Sequence, residues 1–199
     1  MPKSFTESEK AYIRDRLIQE AETCLALYGI RKTTVDELVH RAGIPKGTFY
    51  LFYESKEALI FDTILKLNAD VQQKLLHILA GMDAKPDAEQ LTDIIFGLYQ
   101  SLDGSFLLKL IENGELEFLM QKAPPEVTQV NVLEDDDMIT QLMMLFPETN
   151  ATNSQLYSAA LRGTFLMFLH KKEIAYEPFD ELLRFLIRGI VLQMFGGQA

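Results

Sequence analysis

Along most of this chain the apolar positions recur every three or four residues and almost never alternate, so the pattern predicts an all-α protein of about nine helices. Thr6 followed by Glu9 predicts a capping box at the start of a first helix, in which Ile13, Leu17, Ala21, Cys24 and Tyr28 form the stripe and Gly29 marks the stop. Thr34 with Glu37 opens a short second helix carrying Val35, Leu38, Val39 and Ala42, closed at Gly43. Pro45, with its fixed φ and missing N–H, starts a third that runs to the neighbourhood of Leu51. Ser55 caps a fourth, long helix whose apolar side is Leu59, Ile60, Ile64, Leu67, Val71, Leu75 and Ile78.

Further along, "GMDAKPDAE" is a loop, "LTDIIFGLYQSL" and "FLLKLIENGELEFLMQK" read as helices, and "APPEVTQVN" is a break before a helical "EDDDMITQLMMLF". The final helix carries Phe179, Leu182, Leu183, Leu186, Ile187, Ile190, Val191 and Met194, and Phe185 and Leu192 widen that stripe beyond what one packing surface requires. "LYSAALRGTFLMFLH" before it includes Ala159, Ala160 and Gly163, small residues that permit close approach. Two such helices from each subunit predict a four-helix bundle across a two-fold axis, with Leu183, Leu186, Ile187, Ile190 and Met194 at a homodimer interface. Burial of the pair inside a monomer is the competing reading.

Composition narrows the possibilities. Of 199 residues 48% are hydrophobic, which excludes a disordered chain. Cys24 is the single cysteine, so no intrachain disulfide forms, and it is expected to be a small core residue. The first residues lack a signal-peptide pattern, and no run approaches the ~18 apolar residues of a membrane span, so a cytoplasmic protein without a membrane partner is expected. The net charge of −10 is unevenly placed. Residues 1 to 60 hold nine Lys/Arg against nine Asp/Glu; of the chain's 19 and 29, that leaves ten against twenty for residues 61 to 199. A neutral first third can meet a polyanion while the acidic remainder is repelled from it. His40, His77 and His170 are isolated and the acidic run Glu134 to Asp137 lacks the alternating ligand spacing of a calcium loop, so no metal site is expected. No G-x-S-x-G, local Cys/His pair or phosphate loop is present, so neither catalytic residues nor a cofactor are expected.

The stretch "GIPKGTFYLFYESKEAL" places Gly43, Pro45 and Gly47 ahead of Phe49, Tyr50, Phe52 and Tyr53. A helix this short cannot bury four aromatics on one side, because only residues three or four apart share a face. Two short helices joined by a glycine-containing turn form a helix-turn-helix, whose second helix can lie in the DNA major groove. Gly47 then lets the backbone approach a phosphate, while Lys46, Thr48 and Tyr50 offer a charge, a hydroxyl and a phenol to phosphates or base edges. Phe49 is the anchor to the second helix. Lys56 and Tyr53 are placed to grip the flanking backbone. Tyr53 also reads as a core ring with a solvated hydroxyl, and Thr34 is a helix cap before it is a phosphate ligand.

"TTVDELVHRAGIPKGTFYLFYESKEAL" resembles the DNA-binding signature of the tetracycline-repressor (TetR) family of bacterial transcriptional regulators, over roughly residues 8 to 60. The resemblance implies a DNA-reading domain at 1–55, a helical effector-binding and dimerisation domain at 56–199, and a homodimer that binds a palindromic operator in double-stranded DNA. It implies a repressor released by a small-molecule effector, with the fourth helix as the lever between the two domains. By the family pattern Thr34, Lys46, Gly47, Thr48, Tyr50, Tyr53 and Lys56 are the contact positions; Leu51 and Phe52 stand where relatives often carry His or Tyr. Phe96, Tyr99, Phe106, Phe118, Tyr157, Phe165 and Phe168 are candidates for an apolar effector pocket or for plain core. The alternatives are a helical ligand-binding or interaction protein that has lost DNA reading, and an enzyme acting on apolar substrates.

Overall fold

The computed structural model describes residues 5–121, 153–174 and 176–196. Its elements are α1 (Glu7–Lys32), α2 (Val35–Ala42), α3 (Lys46–Phe49), α4 (Lys56–Ala80), α5 (Ala88–Gln100), α6 (Phe106–Glu112), α7 (Glu115–Met120), α8 (Ser154–Leu169) and α9 (Phe179–Met194). The all-helical fold expected from the periodicity is present. The break at 123–131 and the helix expected at 134–146 lie outside the described residues.

Local chemistry accounts for the ends of these helices. The Thr6 hydroxyl accepts from the Glu9 N–H while the Glu9 carboxylate accepts from the Thr6 N–H, so the first capping box forms in both directions. Thr34 accepts from the Glu37 N–H at 3.2 Å, but the Glu37 carboxylate turns away to Arg41. Ser55 accepts from Ala58. Gly43 closes α2 in the left-handed conformation, at φ 70°. Two expectations shift. The helix does not end at Gly29 but bends there and resumes for one turn, Ile30 to Lys32. "FLLKLIENGELEFLMQK" is two helices, divided at Asn113 and Gly114.

The chain falls into two compact units, Met1–Leu67 with Gly104–Ala123, and Asn68–Asp103 with Pro124–Ala199. The expected division at 55/56 is therefore not the division of the packing: α6 and α7, assigned from sequence to the second domain, join the first unit by packing on α1. The first unit's core gathers Ile13, Leu17, Ile18, Ala21 and Cys24 of α1 with Leu38 and Val39 of α2, Phe49, Tyr53 and Leu59. Each side chain of this size withdrawn from water contributes about 1.5–3 kcal/mol before entropy is counted.

The second unit packs α9 against α5 and α8. Leu91, Ile95 and Leu98 of α5 and Leu161 and Phe168 of α8 are buried there, with Leu183, Ile187, Val191 and Met194 of α9. Tyr99 donates to the Leu161 carbonyl at 3.0 Å and Tyr157 to the Gln193 carbonyl at 3.0 Å, so both buried phenols are satisfied. Arg184 bridges Glu89 and Asp93, and Arg188 pairs with Glu89, fastening the outer edges of α5 and α9. This packing takes up three of the five residues expected at an interface. Leu183, Ile187 and Met194 are fully enclosed within their own chain and have no surface to offer a second copy. Leu186 and Ile190 stay partly exposed, and it is Phe185, 72% exposed, that stands outward.

Candidate nucleic-acid interface

The reading segment is built on one ring. Phe49 is 0% exposed, inserted beside Leu38 and Val39, and its ring meets Tyr50 edge-on at 5.3 Å and Tyr53 at 6.0 Å. The Ile44 N–H donates to the Val39 carbonyl at 3.1 Å, which ties the turn between α2 and α3 to the end of α2. After α3 the backbone tightens, with Leu51 N–H on Thr48 O and Phe52 N–H on Phe49 O. The third helix is thus shorter than the sequence predicts.

Lys46, Gly47 and Tyr50 face solvent, and Thr48 is half-buried. Lys46 Nζ lies 2.8 Å from Asp36 on α2, and that carboxylate pushes the ammonium above the usual lysine range. Both partners are exposed, so a phosphate oxygen can replace the carboxylate at little cost. Gly47 is informative because the fold does not demand it: a Cβ added there meets nothing within 4 Å. A glycine inside a helical turn costs about 0.5–1 kcal/mol relative to alanine. The open space beside it suits the approach of an external backbone. Leu51 is 72% exposed next to Tyr50, at 52%.

Two of the expected contact residues are committed elsewhere. Tyr53 is buried, and its hydroxyl donates to Asp62 at 2.5 Å beside Arg14. Burial first, and the hydrogen bond to Asp62 second, push the phenol above its ordinary value. Its alternative reading as a core ring is the one that fits, although the hydroxyl meets a carboxylate rather than water. Lys56 Nζ donates to the carbonyls of Ile30 and Thr33, both at 2.8 Å, so its charge closes the α1–α2 connection rather than facing outward. Thr34 is exposed and acts as the N-cap of α2.

Sequence reasoning missed the polar frame behind these residues. Arg41 bonds Glu37 and the Tyr28 hydroxyl, and its own carbonyl accepts from Arg16. Glu115 of α7 accepts from the backbone N–H groups of Ile30 and Arg31. The Arg41–Glu37 pair is four residues apart on a helix and could have been read; the Glu115 contacts span 84 and 85 residues and carry no local signal. Among the described residues no group of three or more His, Cys, Asp or Glu could hold a metal, and no helix is long and apolar enough to cross a membrane.

Comparison with known proteins bears on this arrangement. Residues 17–63 match the tetR family of bacterial regulatory proteins, a span that contains α2, α3 and the start of α4. The HTH-type transcriptional repressor KstR2 of Rhodococcus jostii (strain RHA1) is 29% identical over 120 residues, 60% of this chain and 57% of that protein, so the chain spans little more than half of that relative's length. Among solved structures, the TetR family repressor AlkX from Dietzia sp. strain DQ12-45-1b, implicated in biodegradation of n-alkanes, superposes with a TM-score of 0.67 at 14% identity, over 91% of this chain and 94% of that one. Thermus thermophilus FadR, a transcriptional repressor solved in complex with lauroyl-CoA, superposes with a TM-score of 0.64 at 21% identity over the same shares.

Proposed function

We propose that this chain, whose residues 17–63 match the tetR family of bacterial regulatory proteins, is a homodimeric DNA-binding transcriptional regulator, a repressor that leaves a partly palindromic operator when a small molecule occupies its second unit. The observation that carries the reading is the division of the K-G-T-F-Y segment, with Phe49 wholly buried as anchor and Lys46, Gly47 and Tyr50 outside. That is what a short helix presented to a groove requires: a fixed root and a polar, uncluttered outer edge. A gel shift on DNA upstream of the protein's own gene, repeated across salt concentrations, tests it. Affinity should fall steeply as salt rises; absence of any retarded species at low salt would reject the reading.

The second copy would meet α8 and α9 along rows that their own chain leaves open. Leu156, Ala159, Gly163 and Leu166 are exposed on one side of α8, and Phe185 and Gly189 on one side of α9. A Cβ at Gly163 or Gly189 meets nothing within 4 Å, so neither glycine is needed by the protomer's packing. Large and small side chains alternating along an apolar surface suit interdigitation across a two-fold axis. For the effector we favour a molecule with a long alkyl chain, on the strength of the fold shared with FadR and AlkX. Lauroyl-CoA should raise the melting temperature and weaken the gel shift. If it does neither, that class is discarded and the DNA-binding reading stands on its own test.

A further inference from the structure

Gly29 holds φ 73° and ψ −176°, a combination that essentially only glycine adopts without strain. It interrupts α1, and the N–H groups of Ile30 and Arg31 just beyond it, at the head of the resumed turn, are where a helix start needs acceptors from outside its own backbone. Ile30 is fully buried, so water cannot satisfy its N–H. The acceptor is a side chain from far along the chain. Glu115, the first residue of α7, places Oε2 2.6 Å from the Ile30 nitrogen and Oε1 3.5 Å from that of Arg31. The fit is close: a Cβ at Gly29 would collide with the Glu115 carboxylate.

The opposite pole of the same short segment is closed by a positive charge. Lys56 donates to the Ile30 and Thr33 carbonyls, while Thr33 returns both its N–H and its hydroxyl to the Gly29 carbonyl, at 3.3 and 2.6 Å. Two further contacts hold α6 and α7 against the end of α1: Lys109 Nζ donates to the Ala26 carbonyl at 3.3 Å, and the Arg31 guanidinium lies 5.8 Å from the centre of the Phe118 ring. Carboxylate on the N–H side and ammonium on the carbonyl side complement the local peptide dipoles, and charged partners make such bonds roughly twice as strong as neutral ones. Thr34, the cap of α2, follows directly.

We propose that Glu115 is a positioning residue for the reading head: with Lys56 it clamps the bend at residues 29 to 33 and so fixes the direction in which α2 and α3 leave α1. For its effect on DNA this rests on the regulator reading above; the clamp itself is a property of the fold. Electrostatics alone predicts the reverse of what positioning predicts. Removing a carboxylate from a protein that approaches a polyanion should strengthen binding, whereas releasing the bend should weaken it.

The test uses the full chain as wild type, Glu115→Ala and Glu115→Gln. Amide hydrogen exchange should show the Ile30 and Arg31 N–H groups exchanging about tenfold faster or more in Glu115→Ala, and closer to wild type in Glu115→Gln, whose amide oxygen still accepts one bond. DNA affinity is measured on the duplex that wild type enriches from a randomised pool, against an unselected duplex of equal length. Glu115→Ala should lose about tenfold on the enriched duplex with little change on the unselected one, and Glu115→Gln should recover part of that loss. The proposal is overturned if the two amides remain as protected as in wild type, or if Glu115→Ala binds the enriched duplex as tightly or more tightly. Should wild type enrich no duplex at all, the regulator reading falls, and the amide exchange still decides the clamp.

Discussion

The α3 segment and α9 both carry more apolar residues than one helical face can hide, and the molecule resolves the excess in opposite ways. In the α3 segment the enclosed rings are Phe49 and Tyr53, and what stands outside is a lysine, a bare glycine backbone and a phenol, with Leu51 beside them. In α9 the enclosed row is Leu183, Ile187, Val191 and Met194, and what stands outside is Phe185 with Gly189 a turn beyond it, between Glu181 and Gln193. The first surface keeps its hydrogen-bonding capacity and suits a hydrated, charged partner. The second is apolar at its middle, between Glu181 and Gln193, and there suits a partner that excludes water. Apolar excess in a sequence therefore does not say what is being contacted; the chemistry of the residues beside it does.

Substitutions on the two rows of α9 should separate sharply. Ile187→Glu puts a carboxylate at a fully enclosed site with no basic partner, and should cost more than about 4 kcal/mol, so that thermal denaturation shows an unfolded or aggregated chain rather than a clean monomer. Phe185→Glu, on the outer row, should leave the helical content intact and shift sedimentation from dimer to monomer. Operator affinity should then fall about a hundredfold, because two heads no longer share one effective concentration. A folded Phe185→Glu chain that remains dimeric would break the assignment of this surface.

Two lysines sharpen the reading side. Lys46→Ala should weaken DNA binding and lower the slope of log affinity against log salt by about 0.9, with the melting temperature little changed. Lys56→Ala should do the reverse: the slope stays, while the Ile30 and Thr33 carbonyls lose their donor at a cost of about 1–3 kcal/mol in denaturant unfolding. The smallest effect belongs to Tyr53→Phe, worth about 0.5–1.5 kcal/mol near neutral pH. It has a pH signature. The folded phenol titrates above the ordinary tyrosine value, so as pH rises past ~10 the unfolded chain releases the proton first and wild type loses stability. Tyr53→Phe should lack that part of the alkaline loss.

Features set by near neighbours were legible in the sequence. The Thr6–Glu9 box, the Thr34 and Ser55 caps and the anchoring of Phe49 each depend on residues a few positions apart, and each is found. The inward bonds of Lys56 are not legible because its carbonyl partners lie 23 and 26 residues upstream, and a lysine at a helix start looks the same whether it points outward or in. The burial of Leu183, Ile187 and Met194 in their own chain escaped for a related reason. Periodicity locates the centre of an apolar stripe, and the centre is what the chain's own core consumes; the margins, read as excess, are what remain for a partner. The division of the unit containing α1 escaped as well, since nothing around residues 106 to 120 marks α6 and α7 as neighbours of α1.

That last arrangement has a consequence for synthesis. When residue 67 has left the ribosome, all the residues proposed to read DNA exist, but α6, which packs on α1 and buries Phe106, Leu107, Leu108, Leu110 and Ile111, does not. At about 5–20 residues per second the missing piece follows several seconds later. Until then the nascent chain shows bare apolar surface along α1 and lacks the Glu115 carboxylate that bonds the Ile30 N–H, so the proposed reading head matures only after much of the following polypeptide has been translated, and a fragment cut at the expected domain boundary would remain in that unfinished state.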